Sequence, residues 1–73
     1  MSNQATAIRI TLNGQILERP VGEKLLTLVQ SLGLKPDRLA IELDRRIIKP
    51  AEWSSTEISE GAAIEIVHFV GGG

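Results

Sequence analysis

The sequence predicts an α+β fold in two layers, a mixed sheet with a single helix packed on one face. Three observations predict it. Residues Ala7 to Asn13 alternate apolar and polar with period two; Leu25, Leu28, Val29 and Leu32 recur at helical spacing; and Ala63 to Val70 returns to period two. A chain of 73 residues has room for one such domain and no second core. The expected layout is a single domain over 1–73, with 1–6 a flexible N-terminus and 71–73 a flexible glycine tail.

In the first strand Ile8, Ile10 and Leu12 face one way. Asn13-Gly14 follows, a strong hairpin signal, because a type I′ turn needs positive φ at both central residues, which Asn tolerates and Gly permits. With a two-residue loop Leu12 pairs with Gln15 and Ile10 with Leu17, so Gln15 to Arg19 returns antiparallel, with Leu17 inward and Ile16 outward. Asn13 and Gly14 need no role beyond the turn. Pro20 and Gly22 break the pattern before the helical stripe. The helix start carries no Ser, Thr, Asp or Asn cap in the usual place, so its first turn is expected to fray, whereas Gly33 is placed to end it in the left-handed conformation.

A third strand, Leu39 to Asp44, sets Ile41 and Leu43 on one face and Ala40, Glu42 and Asp44 on the other. Arg45-Arg46 is read as a turn and Ile47-Ile48 as a short edge strand. Trp53 to Ser59 is read as a loop with one helical turn, and Gly61 as a further turn. In the last strand Ile64 and Ile66 point into the core and Glu65, Val67 and Phe69 away from it. The order ββαββ is the β-grasp, or ubiquitin-like, arrangement, in which the first and last strands lie parallel at the sheet centre. The last strand then carries the chain out of the core.

Composition narrows the function. Eight basic and nine acidic side chains give a net charge of −1, with no broad positive surface for nucleic acid or anionic lipid. The absence of cysteine excludes disulfides, thiolate metal sites and thiol nucleophiles within the chain. No apolar run approaches the ~18 residues of a membrane span, and the first residues lack the basic and apolar regions of a secretory signal. A soluble, cytoplasmic chain is expected, monomeric when free and without a metal or cofactor. From Ala51 onward the sequence carries Glu52, Glu57, Glu60 and Glu65 and no Lys or Arg, which reads either as a negative field suited to a basic partner surface or as a solvated acidic face.

No set of catalytic residues stands out, and no catalytic role is assigned to any side chain. His68, in phase with Ile64 and Ile66, is read as a partly buried, hydrogen-bonded side chain, and Trp53 as a plug over one end of the core whose indole N–H finds a partner. The unusual feature is the terminus Val70-Gly71-Gly72-Gly73. Glycines leave no Cβ to obstruct a narrow channel, and four residues reach ~13 Å into a partner's pocket. A terminal carboxylate is a poor electrophile until a separate enzyme converts it to an activated ester or anhydride, so the chain reads as a substrate or carrier rather than a catalyst. Outward-facing Val67 and Phe69 form a candidate docking patch beside that tail. The competing reading has the loop around Pro50 to Trp53 fold over them.

The chain also resembles the ThiS-type sulfur carriers of bacterial thiamine biosynthesis over nearly all its length after the first six residues. The resemblance is carried by Asn13-Gly14, Leu32-Gly33-Leu34, Leu39-Ala40-Ile41-Glu42-Leu43, Trp53, Gly61, and Ile64-Glu65-Ile66-Val67 running into Val70-Gly71-Gly72-Gly73. It implies a cycle on Gly73. An ATP-dependent activating enzyme adenylates its carboxylate, sulfur from a cysteine persulfide replaces AMP, and the thiocarboxylate serves thiazole synthase. Gly71 and Gly72 thread the partners' channels while Val67 and Phe69 dock. Ala62 stands where relatives often have an acid, and Lys49-Pro50 where Pro-Arg is usual. A terminal Gly-Gly also suits the sulfur carrier of molybdopterin synthesis, a ubiquitin-like protein modifier, or a noncatalytic ubiquitin-like binding module with idle glycines.

Overall fold

The computed structural model describes residues 6–69. Its elements are β1 (Ala7–Leu12), β2 (Gln15–Pro20), α1 (Leu25–Ser31), β3 (Leu39–Leu43), β4 (Arg46–Ile48) and β5 (Ala63–His68), with 3₁₀ turns at Pro36–Arg38 and Pro50–Glu52. The strands form one sheet in the order β2-β1-β5-β3-β4, with β1 and β5 parallel and every other pair antiparallel. This is the predicted α+β, β-grasp arrangement.

The first hairpin has the predicted register. Leu12 faces Gln15, Ile10 faces Leu17 and Thr11 faces Ile16, closed by Asn13 (φ 50) and Gly14 (φ 83). Period two then sorts the side chains. Ile8, Ile10, Leu39, Ile41, Ile64 and Ile66 form the sheet's contribution to the core, against Leu25, Leu28 and Val29 of α1. Trp53, Ile58 and Ala62 complete it from the connection before β5, and of these Ile58 and Ala62 had no sequence signal. As expected, Trp53 is buried and its Nε1–H donates to the Ile48 carbonyl at 2.8 Å.

α1 is shorter than its stripe. It stops at Ser31, so Leu32 becomes its C-cap and is exposed rather than part of the core. Gly33 (φ 73) ends it as predicted: its N–H donates to the Gln30 carbonyl and the Leu34 N–H to that of Val29, a Schellman closure. The expected frayed start is corrected. No side chain caps Lys24, but the Leu25 N–H donates to the Thr56 carbonyl at 2.9 Å and the Leu26 N–H to that of Trp53 at 3.1 Å. A distant loop therefore supplies the acceptors a local cap would have given. Glu23, buried just before the helix, receives both arms of Arg19, at 2.7 Å from Nε and 2.6 Å from Nη2, and so ties β2 to α1.

Two turns lie elsewhere than the sequence suggested. The β3–β4 turn is Asp44-Arg45, both with positive φ, and Arg46 already belongs to β4, paired with Leu43. Asp44 holds that conformation through its own bonds: its N–H donates to the Ala63 carbonyl at 2.8 Å, and its Oδ1 accepts the Ala63 N–H at 2.9 Å. The helical turn expected within Trp53–Ser59 instead precedes it, at Pro50–Glu52, because Pro50 supplies the φ of a first helical residue. β2 also runs one residue further than expected, to Pro20.

Candidate functional site

α1 covers one face of the sheet; the other lies open, and the candidate docking residues stand on it. On β5 the alternation that buries Ile64 and Ile66 turns Glu65 and Val67 outward, and Val67 is 54% exposed. Phe69, just past the strand, is 58% exposed, and its N–H still donates to the Arg38 carbonyl at 2.9 Å. The chain is thus held by its neighbour up to Phe69. The loop around Pro50 to Trp53 does not cover these residues, since Trp53 is drawn into the core beneath β4. Gly71, Gly72 and Gly73 lie outside the described residues.

The structure adds neighbours to the patch. Ala40 on β3 is directly opposite Val67, and Glu42 is opposite Glu65 on one side and Ile47 of β4 on the other. Together Ala40, Glu42, Ile47, Glu65 and Val67 line a groove across β4, β3 and β5, with Ile47 69% exposed. Glu42 and Glu65, directly opposite each other, set two carboxylates of like charge side by side on the open face. Sequence reasoning missed Ile47 and Glu42. A turn set at Asp44-Arg45 would have found them, because a two-residue loop there forces Glu42 to pair with Ile47 on the outer face.

The other half of the open face differs. Ile16 on β2, outward as predicted, borders a separate depression with Arg9, Thr11, Glu60 and Gly61, where Glu60 Oε1 accepts the Arg9 N–H at 3.1 Å. The acidic residues of the C-terminal third are therefore divided. Glu65 faces the groove, Glu60 holds β1, and Glu57 pairs with Lys24 at 3.7 Å.

Two site-side readings are corrected. His68 is exposed rather than partly buried: it pairs with Leu39 at the end of β5, beyond the reach of β1. Asn13 is more than a turn former. Its Oδ1 accepts the Ile66 N–H at 2.8 Å and its Nδ2 donates to the Ile66 carbonyl at 3.3 Å, so its carboxamide bonds β5 as a neighbouring strand would. The Asn-Gly signal gave no warning of this, since the turn alone accounts for both residues. Among the described residues no helix is long and apolar enough to cross a membrane.

The fold and the patch can be set beside known proteins. The crystal structure of a thiamine biosynthesis protein, ThiS, from Geobacter metallireducens is similar with a TM-score of 0.79 and 22% identity, covering 90% of this chain and 100% of that one. The solution structure of a Geobacter metallireducens thiamine biosynthesis protein gives 0.74 at 22% identity, covering 90% and 88%. An N-terminal ubiquitin-like domain solved in solution gives 0.56 at 17% identity, covering 100% of this chain and 85% of that one. At these identities the likeness is one of fold. In sequence, a thiazole synthase from Magnetococcus marinus is 32% identical over 66 residues, 90% of this chain. The chain spans only 20% of that relative's length. The profile of the ThiS family matches residues 6–73, from the start of the first strand through the terminal glycines. The chain therefore belongs to the ThiS family, and its fold is the β-grasp.

Proposed function

We propose that the chain carries sulfur as a thiocarboxylate on Gly73 and donates it for thiazole formation. The observation that carries this reading is the family match running unbroken into Gly71-Gly72-Gly73, next to a strand end that presents Val67 and Phe69. The chemistry follows from the terminal group. An ATP-dependent activating enzyme joins the Gly73 carboxylate to AMP and releases pyrophosphate, which gives the carbonyl a leaving group. The outer sulfur of a cysteine persulfide attacks that carbonyl and expels AMP. A thiol then cleaves the resulting S–S bond, leaving the thiocarboxylate on Gly73 and a disulfide on the donor side. The protein contributes a scaffold and a substrate to this sequence, and the catalysts are its partners.

Thiazole synthase is the proposed acceptor. In the Magnetococcus marinus protein a segment resembling this chain forms part of a thiazole synthase polypeptide, which puts carrier-like and acceptor-like sequence on one molecule. On this reading Gly71 and Gly72 thread the partners' channels, and Val67 and Phe69 seat the sheet face against them with Ala40 and Ile47 extending the contact. Glu42 and Glu65 would meet a Lys or Arg of the partner.

Intact-mass measurement tests the chemistry directly. After incubation with an activating enzyme for ThiS-family carriers, ATP, a persulfide donor and a thiol, one oxygen at the C-terminus should be replaced by one sulfur. An unchanged mass, with a known carrier converted in parallel, overturns the reading. Rescue of a thiamine auxotroph tests the destination, because a carrier dedicated to molybdopterin or a protein modifier would not restore growth.

A further inference from the structure

The parallel β1–β5 ladder is short, and where it stops a side chain continues it. Only Thr11 with Ala63 and Leu12 with Ile64 pair as strand residues, with the Thr11 N–H donating to the Ala62 carbonyl and the Asn13 N–H to that of Ile64, each at 2.9 Å. At Asn13 the backbone turns away with φ 50, so β1 cannot offer the next rung. The carboxamide of Asn13 offers it instead, accepting from the N–H and donating to the C=O of one residue, Ile66. A primary amide has the donor and acceptor of a peptide unit, and here it satisfies both polar groups of a rung that would otherwise face water.

The consequence lies further along β5. Past Ile64 the strand is held on one side by β3, which pairs with Glu65, Ile66, Val67 and His68, and by the Arg38 carbonyl on the Phe69 N–H. On the other side the bonds to Ile66 come from Asn13 alone among the described residues. Ile66 directly precedes Val67 and stands three residues before Phe69, so this rung lies where the strand begins to present the patch. We propose that Asn13 is a positioning residue for the C-terminal tail: its carboxamide pre-orders the end of β5 so that docking residues and reacting end arrive together at the partner. The proposal rests on the reading that Gly73 is the group activated. Ordering the strand before binding removes a cost otherwise met on association, so its loss raises KM and leaves kcat unchanged.

Three variants of the full chain separate this role from turn stability. Asn13→Gly keeps the left-handed backbone and deletes the amide; Asn13→Asp keeps the acceptor for the Ile66 N–H but turns an oxygen toward the Ile66 carbonyl. Gly14→Ala strains the same turn at φ 83 and leaves the amide in place. Amide hydrogen exchange followed by NMR should show the Ile66 N–H exchanging about tenfold faster in Asn13→Gly, with the Val67 N–H unchanged, and Gly14→Ala should not reproduce this selectivity. In pyrophosphate release by the activating enzyme, Asn13→Gly should raise KM about tenfold with kcat within twofold, and Asn13→Asp should fall between it and the parent. Gly14→Ala should leave KM unchanged despite a lower melting temperature.

Unchanged Ile66 exchange in Asn13→Gly, or faster exchange with an unchanged KM, overturns the proposal. So does an equal rise in KM for Gly14→Ala, which would reduce Asn13 to a turn former. If Asn13→Gly fails to fold, Asn13→Asp carries the same comparison. A parent chain that the activating enzyme does not adenylate would instead sink the sulfur-carrier reading, whatever the exchange data show.

Discussion

At the scale of single residues, the side chains that matter most are polar groups answering a particular backbone or charge. Glu23 is 8% exposed, a carboxylate that burial would penalise heavily if Arg19 did not bond both its oxygens. The effect is mutual: the hydrogen bond to Glu23, against some desolvation, raises the Arg19 guanidinium above its ordinary pKa, and the pair's attraction adds to this. Arg19 Nη2 also donates to the Ser31 hydroxyl at 2.9 Å, which in turn donates to the Leu28 carbonyl, so one guanidinium links β2 to both ends of α1. Arg19→Met should therefore cost about 3 kcal/mol in urea unfolding, because it strands a buried negative charge. Arg19→Met combined with Glu23→Leu should recover most of that loss, since removing both charges leaves nothing to compensate. A double variant as unstable as the single one would show that the stabilisation lies in packing around the arginine stem.

At the scale of elements, what was legible in the sequence is what local residues decide. The C-terminal end of α1 is set by Gly33 and Leu34 next to it, and it was read correctly. Gly33→Ala tests that closure cleanly: a Cβ there would meet nothing within 4 Å, so the cost comes only from holding alanine at φ 73, about 1 kcal/mol in a thermal melt. The N-terminal end of α1 was misread because its acceptors come from Trp53 and Thr56, on a loop that no window around Lys24 contains. The β3–β4 turn slipped by one residue for a related reason. Neither Asp44 nor Arg45 is glycine or asparagine, and their left-handed conformation is sustained by bonds to Ala63, far along the chain. The same divide runs through the site. Val67 and Phe69 could be placed outward because period two counts from the buried Ile64 and Ile66. Ile47 could not, since its face depends on that misplaced turn, and Asn13 could not, since its second role needs β5 alongside.

At the scale of the whole molecule, the open sheet face divides into halves of different character. The β4–β3–β5 half carries Ile47, Ala40 and Val67 around the Glu42–Glu65 pair and ends at Phe69, so its apolar side chains lie beside the exit of the chain. The β1–β2 half carries Ile16, 67% exposed, with Arg9 and Glu60 nearby, on the far side of β5 from that groove. Exposed apolar area alone does not distinguish them, since an isolated exposed isoleucine is ordinary on a protein surface. Continuity with the end of β5 does: on the proposed reading, a partner that grips Gly73 must cover the residues leading to it, and the described ones belong to β5 and its β3–β4 neighbours. Val67→Asp and Phe69→Asp should each leave the far-ultraviolet circular dichroism and melting temperature nearly unchanged, because neither side chain is buried, while raising KM for adenylation by about tenfold or more. Ile16→Asp places the same charge on the same face and should change KM less than twofold. If all three variants weaken activation alike, the partner reads the whole sheet. If Phe69→Asp unfolds the domain, that side chain belongs to the core. If only Ile16→Asp weakens activation, the docking surface lies on the β1–β2 half and the tail reaches its enzyme from the other side.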